Sequence, residues 1–301
     1  FALFQAARPR PVHIEIPLDV LVENADALLH SPPMTLARPG PSVAAIEQMS
    51  ERLMHARRPL ILAGGGAIDA APALTLLAER LGAPVALTIN AKGMLPTAHP
   101  LLIGSVQSLA ATRALVAEAD VVLAIGTELA ETDYDVFFGG GFEIPGALLR
   151  IDIDSDQTVR NYLPTLALVA DARLAAEALL AALSQRSLAP RETAWGAARA
   201  QRLRLDVDAQ WDAPTRAQTH FIHCVFDVLP DAVCVGDSTQ PVYTGNFTFN
   251  PAQPRRWFNS ATGYGTLGYA LPAAVGAWLG RRAAGKAGGP VVCLIGAGGL
   301  Q

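Results

Sequence analysis

The chain has 301 residues, 51% hydrophobic and 17% charged, with 23 basic side chains against 27 acidic ones and a formal net charge of −4. That balance suits a globular protein of about two domains, and no basic block interleaved with aromatics offers itself to nucleic acid. No run approaches the ~18 apolar residues of a membrane-spanning helix, Phe1 to Arg10 lacks a signal peptide's apolar core, and Cys224, Cys234 and Cys293 lack zinc spacing and disulfide density, so a reducing, cytoplasmic location is expected.

In chain order, Pro11 to Pro17 alternates like a short strand, and Asp19 to Leu29 reads as a helix. Residues 31–42, with Pro32, Pro33, Pro39 and Pro41 and no periodicity, read as a linker after a first segment, 1–30. From Val43 the pattern turns α/β. A helix over Ala44–Ala56, a strand over Pro59–Ala63, a glycine turn at Gly64–Gly66, a helix over Ala70–Leu81 and a strand over Pro84–Ile89 come first. A loop with Lys92, Gly93 and Pro96 precedes a helix over Leu109–Ala119, strands over Asp120–Ile125 and Ala147–Ile153, and a helix over Ala172–Leu183. Strands alternating with helices imply a doubly wound parallel sheet, Rossmann-like, over 43–183. Residues 184–218 are polar and rich in Arg and Gln, and are expected to pack along a surface as a second linker. A further α/β unit, 219–301, follows with a helix over Phe221–Leu229, a strand over Ala232–Val235, a small-residue helix over Gly268–Leu279 and a last strand over Val291–Ile295. That last run has no charge and reads as buried on both faces.

Several groupings carry chemistry. Gly64-Gly65-Gly66 between a strand and a helix could be a dinucleotide loop, but Asp69 stands where a third glycine belongs and no acid ends the next strand, so a plain tight turn competes. Asp152, Asp154 and Asp156 alternate after a strand; Gln157 and Leu163 exclude a calcium loop, leaving helix caps ahead of ribose binding. His220, His223 and Cys224 are weak metal spacing with no further ligand nearby. Gly236 to Gln240 puts polar groups at a strand's carboxyl end, where open α/β sheets hold ligands, although Asp237 or Ser238 could simply cap. Thr262 to Ala274 carries Gly263, Gly265 and Gly268 around Leu267, enough to press backbone and an apolar side chain on a flat ligand. Gly296, Gly298 and Gly299 after the last strand suit a phosphate.

Taken together in order, Pro11–Asp19, Arg58–Gly66 with Lys92-Gly93, His99-Pro100 and Gly126-Thr127, Ala261–Ala274 and Ile295–Gln301 resemble thiamine diphosphate (ThDP) enzymes of the acetolactate synthase and 2-oxo acid decarboxylase type. The resemblance implies the tail of a pyrimidine-binding domain (1–30), a central domain (43–183) and the amino-terminal part of a diphosphate-binding domain (219–301). It implies ThDP and Mg²⁺ as cofactors, a small 2-oxo acid as substrate, a homodimer or homotetramer, and decarboxylation or carboligation with the cofactor as electron sink. Leu267 would bend the cofactor, the Gly265 carbonyl would accept from its 4′-amino group, Gly298 and Gly299 would offer N–H groups to the diphosphate, and Asp237 and Gln240 would lie on the substrate side.

Three departures follow. Ala297 stands where the family has an aspartate that binds Mg²⁺, and a methyl group cannot ligate a hard cation. The second half of that motif and most of the pyrimidine domain lie outside the chain, so the chain is expected to be a fragment, inactive alone. No arginine follows Gly126-Thr127, which argues against FAD. Glu128, Glu131, Asp133, Asp135 and Asp237 would instead favour a cationic substrate such as a guanidino 2-oxo acid. The alternative is a nucleotide-binding or regulatory module without catalysis.

Overall fold

The computed structural model describes residues 1–28, 34–134, 142–285 and 289–300. Its larger sheet has six parallel strands: β1 (Pro59–Ala63), β2 (Val85–Leu87), β3 (Leu102–Gly104), β4 (Val121–Ile125), β5 (Ala147–Asp152) and β6 (Leu166–Val169), in the order β3-β2-β1-β4-β5-β6. That is the doubly wound order, with the chain reversing direction across the sheet between β1 and β4. Both faces are covered. Odd and even residues of β1 divide accordingly: Ile61 and Ala63 join one core, Leu60 and Leu62 the other.

The first core is closed by α1 (Val43–His55), α2 (Ala71–Leu81) and α4 (Ala172–Ser184). Helix α2 stops at Gly82, whose φ of +59° is the left-handed conformation a glycine adopts freely. Helix α4 starts on Asp171, whose carboxylate accepts from the N–H groups of Arg173 at 3.0 Å and Leu174 at 3.1 Å. The second core is closed by α3 (Ala110–Glu118) and α5 (Ala197–Asp208). So the segment expected to run along a surface supplies a covering helix: Trp195, Ala200, Leu203 and Val207 are buried, and the Trp195 indole donates to Pro59 O at 2.7 Å.

The smaller sheet is also parallel, β8-β7-β9, from β7 (Val233–Gly236), β8 (Trp257–Asn259) and β9 (Val291–Leu294). Helices α6 (Ala213–Val228) and α7 (Gln240–Thr248) cover one face and α8 (Ala270–Ala283) the other. Central β7 is wholly buried, whereas β9, with one neighbouring strand among the described residues, is half-buried: Val291, Cys293 and Ile295 pack on one core and Leu294 on the other, so the run expected to be buried on both faces is only partly so.

Two further expectations fail. Pro11 to Pro17 forms no strand and is exposed, since alternation without a partner strand leaves its backbone to water. Of the helix expected over Asp19–Leu29, a single 3₁₀ turn forms at Val20–Val22, and Leu29 lies outside the described residues. Among the described residues no helix is long and apolar enough to cross a membrane.

The two units are latched together. Lys92, in the loop after β2, is 3% exposed and donates to the Phe249 carbonyl at the end of α7. Beside it, Gly93 N–H donates to Asn250 Oδ1 at 3.0 Å, Asn250 Nδ2 donates to Leu95 O at 3.3 Å, and Ser105 Oγ donates to Asn246 O at 2.5 Å. A cation at the carboxyl end of a helix is favoured by its dipole.

Candidate functional site

Three loops leave the carboxyl ends of the small sheet: 237–240 after β7, 260–269 after β8 and 295–299 after β9. In a parallel sheet those ends lie on one side, so segments far apart in sequence meet. A Cβ built on Gly265 would lie 3.9 Å from Ser238 Oγ, one on Gly268 3.8 Å from Gly299 O, and one on Gly296 3.6 Å from Thr239 Cγ2. The three groupings singled out in the second unit therefore form one surface.

Its centre is Asp237, 1% exposed. One carboxylate oxygen accepts from Ser238 N–H at 2.9 Å and the other from Gly268 N–H at 2.7 Å. Ser238 Oγ donates to the Gly265 carbonyl at 3.1 Å. Gly265 and Gly268 have φ of +66° and +81°, which side-chain-bearing residues rarely adopt, and the loop between them holds Leu267 out at 61% exposure. Gln240 is exposed at the first position of α7. Gly298 has nothing within 4 Å of a built Cβ, and the Gly299 N–H donates to Gly296 O at 3.0 Å within the short turn Ala297–Leu300.

The arrangement fits part of ThDP. An apolar side chain stands proud on a loop bent by two left-handed glycines, and among the described residues open space lies beside Gly298 and the buried Thr239 Oγ1 has no hydrogen-bond partner. It does not fit a hard divalent cation. Ala297 contributes a methyl group, Asp237 already accepts an N–H on each oxygen, and among the described residues no group of three His, Cys, Asp or Glu side chains is placed to hold a metal.

A second cleft, of about 520 Å³, opens at the carboxyl ends of the large sheet, where the strand order reverses between β1 and β4. Gly64, Gly65, Gly66, Thr88, Asp152 and Asp171 are among its lining residues. The glycine turn is here for packing: a Cβ on Gly64 would overlap the Gly126 carbonyl oxygen, and one on Gly66 would come within 3.1 Å of Gly126. Asp154 caps the short helix Ser155–Val159 through Asp156 N–H at 3.0 Å, as the caps reading expects, while Asp152 accepts from Asp154 N–H at 3.0 Å. Burial pushes the Asp152 carboxyl up, against the pull of that N–H, Arg8 and Arg150.

Of the acids expected to favour a cationic substrate, Glu128 and Asp133 line this cleft, but both are already engaged. Glu128 pairs with Arg8, Asp133 accepts from Ile89 N–H at 2.9 Å within reach of the Lys92 charge, and Asp237 is buried at the other sheet. Asp135 lies outside the described residues. The histidines form no metal site either: His220 Nε2 lies 3.5 Å from Cys224 Sγ, and His223 packs edge-on against Phe249 with ring centroids 5.6 Å apart.

Two features escaped sequence reasoning. Arg150, fully buried in β5, donates to the carbonyls of Arg160 at 2.6 Å, Thr127 at 3.1 Å and Glu128 at 3.3 Å, so it ties down loops at the cleft rim. An arginine inside Leu148-Leu149-Arg150-Ile151 was the available signal, since a buried guanidinium must find acceptors. Lys92 is the other. Its burial lowers it from an ordinary 10.5 to about 7, opposed by the Asp133 charge.

Comparison with known proteins covers both units of the chain. Residues 46–179 match the model for the central domain of thiamine pyrophosphate enzymes, and residues 237–301 match that for their C-terminal TPP binding domain. A Pseudomonas aeruginosa protein named as a probable 2-ketoarginine decarboxylase is 44% identical over 286 residues, covering 93% of this chain and 49% of that protein. A Methanocaldococcus jannaschii protein named as a probable acetolactate synthase large subunit is 31% identical over 301 residues, covering 92% and 49%. A solved Mycobacterium smegmatis structure, described as that of a putative thiamin diphosphate-dependent enzyme, superposes with a TM-score of 0.68 at 25% identity, covering 91% of this chain and 52% of its own. The chain spans about half the length of the curated relatives it matches.

Proposed function

The chain belongs to the thiamine pyrophosphate enzyme family, of the acetolactate synthase and 2-oxo acid decarboxylase type, and on that premise we propose that it is part of a ThDP-dependent decarboxylase acting on a guanidino 2-oxo acid. The observation that carries the reading is the meeting of loops 237–240, 260–269 and 295–299 at one end of the small sheet, within the matched TPP-binding region. The substrate class rests on the relative named for 2-ketoarginine, since Glu128 and Asp133 are engaged by Arg8 and by Ile89 N–H.

When bound, ThDP would supply an electron sink for the pair left on the substrate's 2-carbon as the carboxylate departs as CO₂. The chain's own part is to hold and orient it. Leu267 would support the bent cofactor, Gly265 O would accept from its 4′-amino group, Gly298 and Gly299 would approach the diphosphate, and Gln240 would stand toward the substrate. A homodimer or homotetramer remains part of the proposal. It draws support from α8, whose Leu271, Val275, Trp278 and Leu279 are exposed along one stripe. Carboligation and inactivity of the chain alone are likewise proposals, and Mg²⁺ is expected to bind only where a carboxylate replaces Ala297.

Calorimetry tests the reading. ThDP is titrated with and without Mg²⁺ into the chain as it stands and into Ala297→Asp, followed by the guanidino 2-oxo acid against pyruvate. We expect weak binding that ignores Mg²⁺ in the first, and Mg²⁺-dependent binding at least about tenfold tighter in the second, the worth of one good charge-assisted contact. No heat with ThDP in either form would reject the ThDP reading.

One observation favours a second reading, a nucleotide in the cleft between β1 and β4: Thr88, buried at its lining, has a hydroxyl with no partner among the described residues. ADP, FAD or coenzyme A that leaves thermal stability unchanged at millimolar concentration counts against it.

A further inference from the structure

We propose that Asp237 is a positioning residue that sets two cofactor loops with one carboxylate. The proposal rests on the ThDP reading above for its function, but its geometry stands alone. Oδ2 accepts from Gly268 N–H at 2.7 Å, thirty-one positions along the chain, and so holds the far end of the Gly265–Gly268 bend. The same oxygen fills the space beside Gly299: a Cβ there would lie 2.5 Å from it, closer than real Cβ atoms come. Oδ1 meanwhile accepts from Ser238 N–H at 2.9 Å, which points the carboxylate, and Ser238 Oγ in turn donates to Gly265 O at 3.1 Å. Among the described residues no Lys, Arg or His forms an ion pair with this buried carboxylate. Its charge is satisfied by N–H and hydroxyl donors, and those donors belong to the cofactor loops, with Ser260 Oγ at 3.5 Å the weakest. A buried charge held this way fixes its donors more firmly than a neutral acceptor does.

Glycine at 299 therefore answers to Asp237 as well as to any phosphate, and the loop after β9 is coupled to the loop after β8. Asparagine is nearly isosteric with aspartate but has a single acceptor oxygen. Its NH₂ would face one of the two N–H donors, donor against donor. A role in filling space would survive Asp237→Asn; the positioning role would not.

The test is hydrogen exchange at the Gly268 amide in the full, ligand-free chain, paired with ThDP titration. Asp237→Asn and Asp237→Ala should exchange that amide at least about tenfold faster, as expected for losing a charge-assisted bond. Gly299→Ala should do the same by displacing the carboxylate, and should add nothing on top of Asp237→Ala. Leu300→Ala, exposed on the same turn, should leave the amide alone. An unchanged Gly268 amide in both Asp237→Asn and Gly299→Ala overturns the proposal whatever ThDP does. A faster amide in a protein that binds no ThDP as wild type rejects the ThDP reading and leaves the positioning role standing. If Asp237→Ala fails to fold, Gly299→Ala, which keeps the carboxylate, still decides.

Discussion

Two turns in this chain look alike on paper. Gly64-Gly65-Gly66 and Gly296-Ala297-Gly298-Gly299 each follow a parallel strand and open into a helical turn. In the first, Gly64 and Gly66 are glycines because another stretch of backbone, Gly126-Thr127, crosses where their side chains would be, and Gly65 because Asn90 does. In the second, the Asp237 carboxylate closes Gly299, but among the described residues Gly298 has open space around it and Gly296 meets nothing nearer than 3.6 Å. One turn is closed throughout by its own fold; the other is left open at Gly296 and Gly298 for something else. A glycine-rich turn after a strand is thus two different statements, and the nearest backbone tells them apart.

The largest expected effect lies in the closed turn. Gly64→Ala drives a methyl into the Gly126 carbonyl, and Gly126→Ala adds a side chain at φ +58° within 2.5 Å of Ala67 N. Each should cost about 2–4 kcal/mol by overpacking and backbone strain, read as a lower urea midpoint with an unchanged slope. A loss below about 1 kcal/mol in both would mean the crossing is looser than it looks and would dissolve the contrast.

How much of this was legible in the sequence depends on how local each signal is. Strands β1 and β4 and helices α2 and α4 announce themselves, because apolar runs with turn residues at their ends need no knowledge of partners. Strands β3, at Leu102–Gly104, and β8, at Trp257–Asn259, are three residues long, too short for any period, and exist because a neighbour pairs with them. Pro11 to Pro17 errs the other way: it has the period and lacks the partner. In the site, motif residues could be placed in the right loops, but Asp237 could not be recognised as their common support. Its partners Gly268 and Gly299 lie 31 and 62 positions away.

A middle-sized effect tests whether charge as well as packing closes the first region. Lys92 is lowered to about 7 and Asp133 raised from 3.8 to about 6, each chiefly by burial and each opposed by its partner's charge. For Lys92 the folded value lies below the unfolded one, so its contribution is present above pH 10.5 and is lost as pH falls through about 7. For Asp133 the folded value lies above, so its contribution is present below pH 3.8 and is lost as pH rises through about 6. Together they predict least stability from this pair between about pH 6 and 7, with stability climbing toward pH 10. Lys92→Met should abolish the rise above pH 7, an effect on the order of a few kcal/mol, and Asp133→Asn should flatten the fall between pH 4 and 6. Denaturation midpoints across that range check both, and unchanged profiles would remove charge from the account of the first turn.

The smallest change in stability belongs to the open turn, and it sharpens the contrast most. Gly298 is exposed, its φ is not left-handed, and a methyl there meets nothing within 4 Å. Gly298→Ala should therefore alter stability by no more than about 0.5 kcal/mol, in the favourable direction if it reduces the freedom of the unfolded chain. The same methyl would stand between the backbone and a diphosphate, so ThDP binding to the Ala297→Asp form should weaken several-fold while the melting curve of the ligand-free protein stays put. Those two readouts moving together would make Gly298 a packing glycine like Gly64. Their separation is what a glycine kept for a ligand requires, because the open space costs the fold nothing until the ligand needs it.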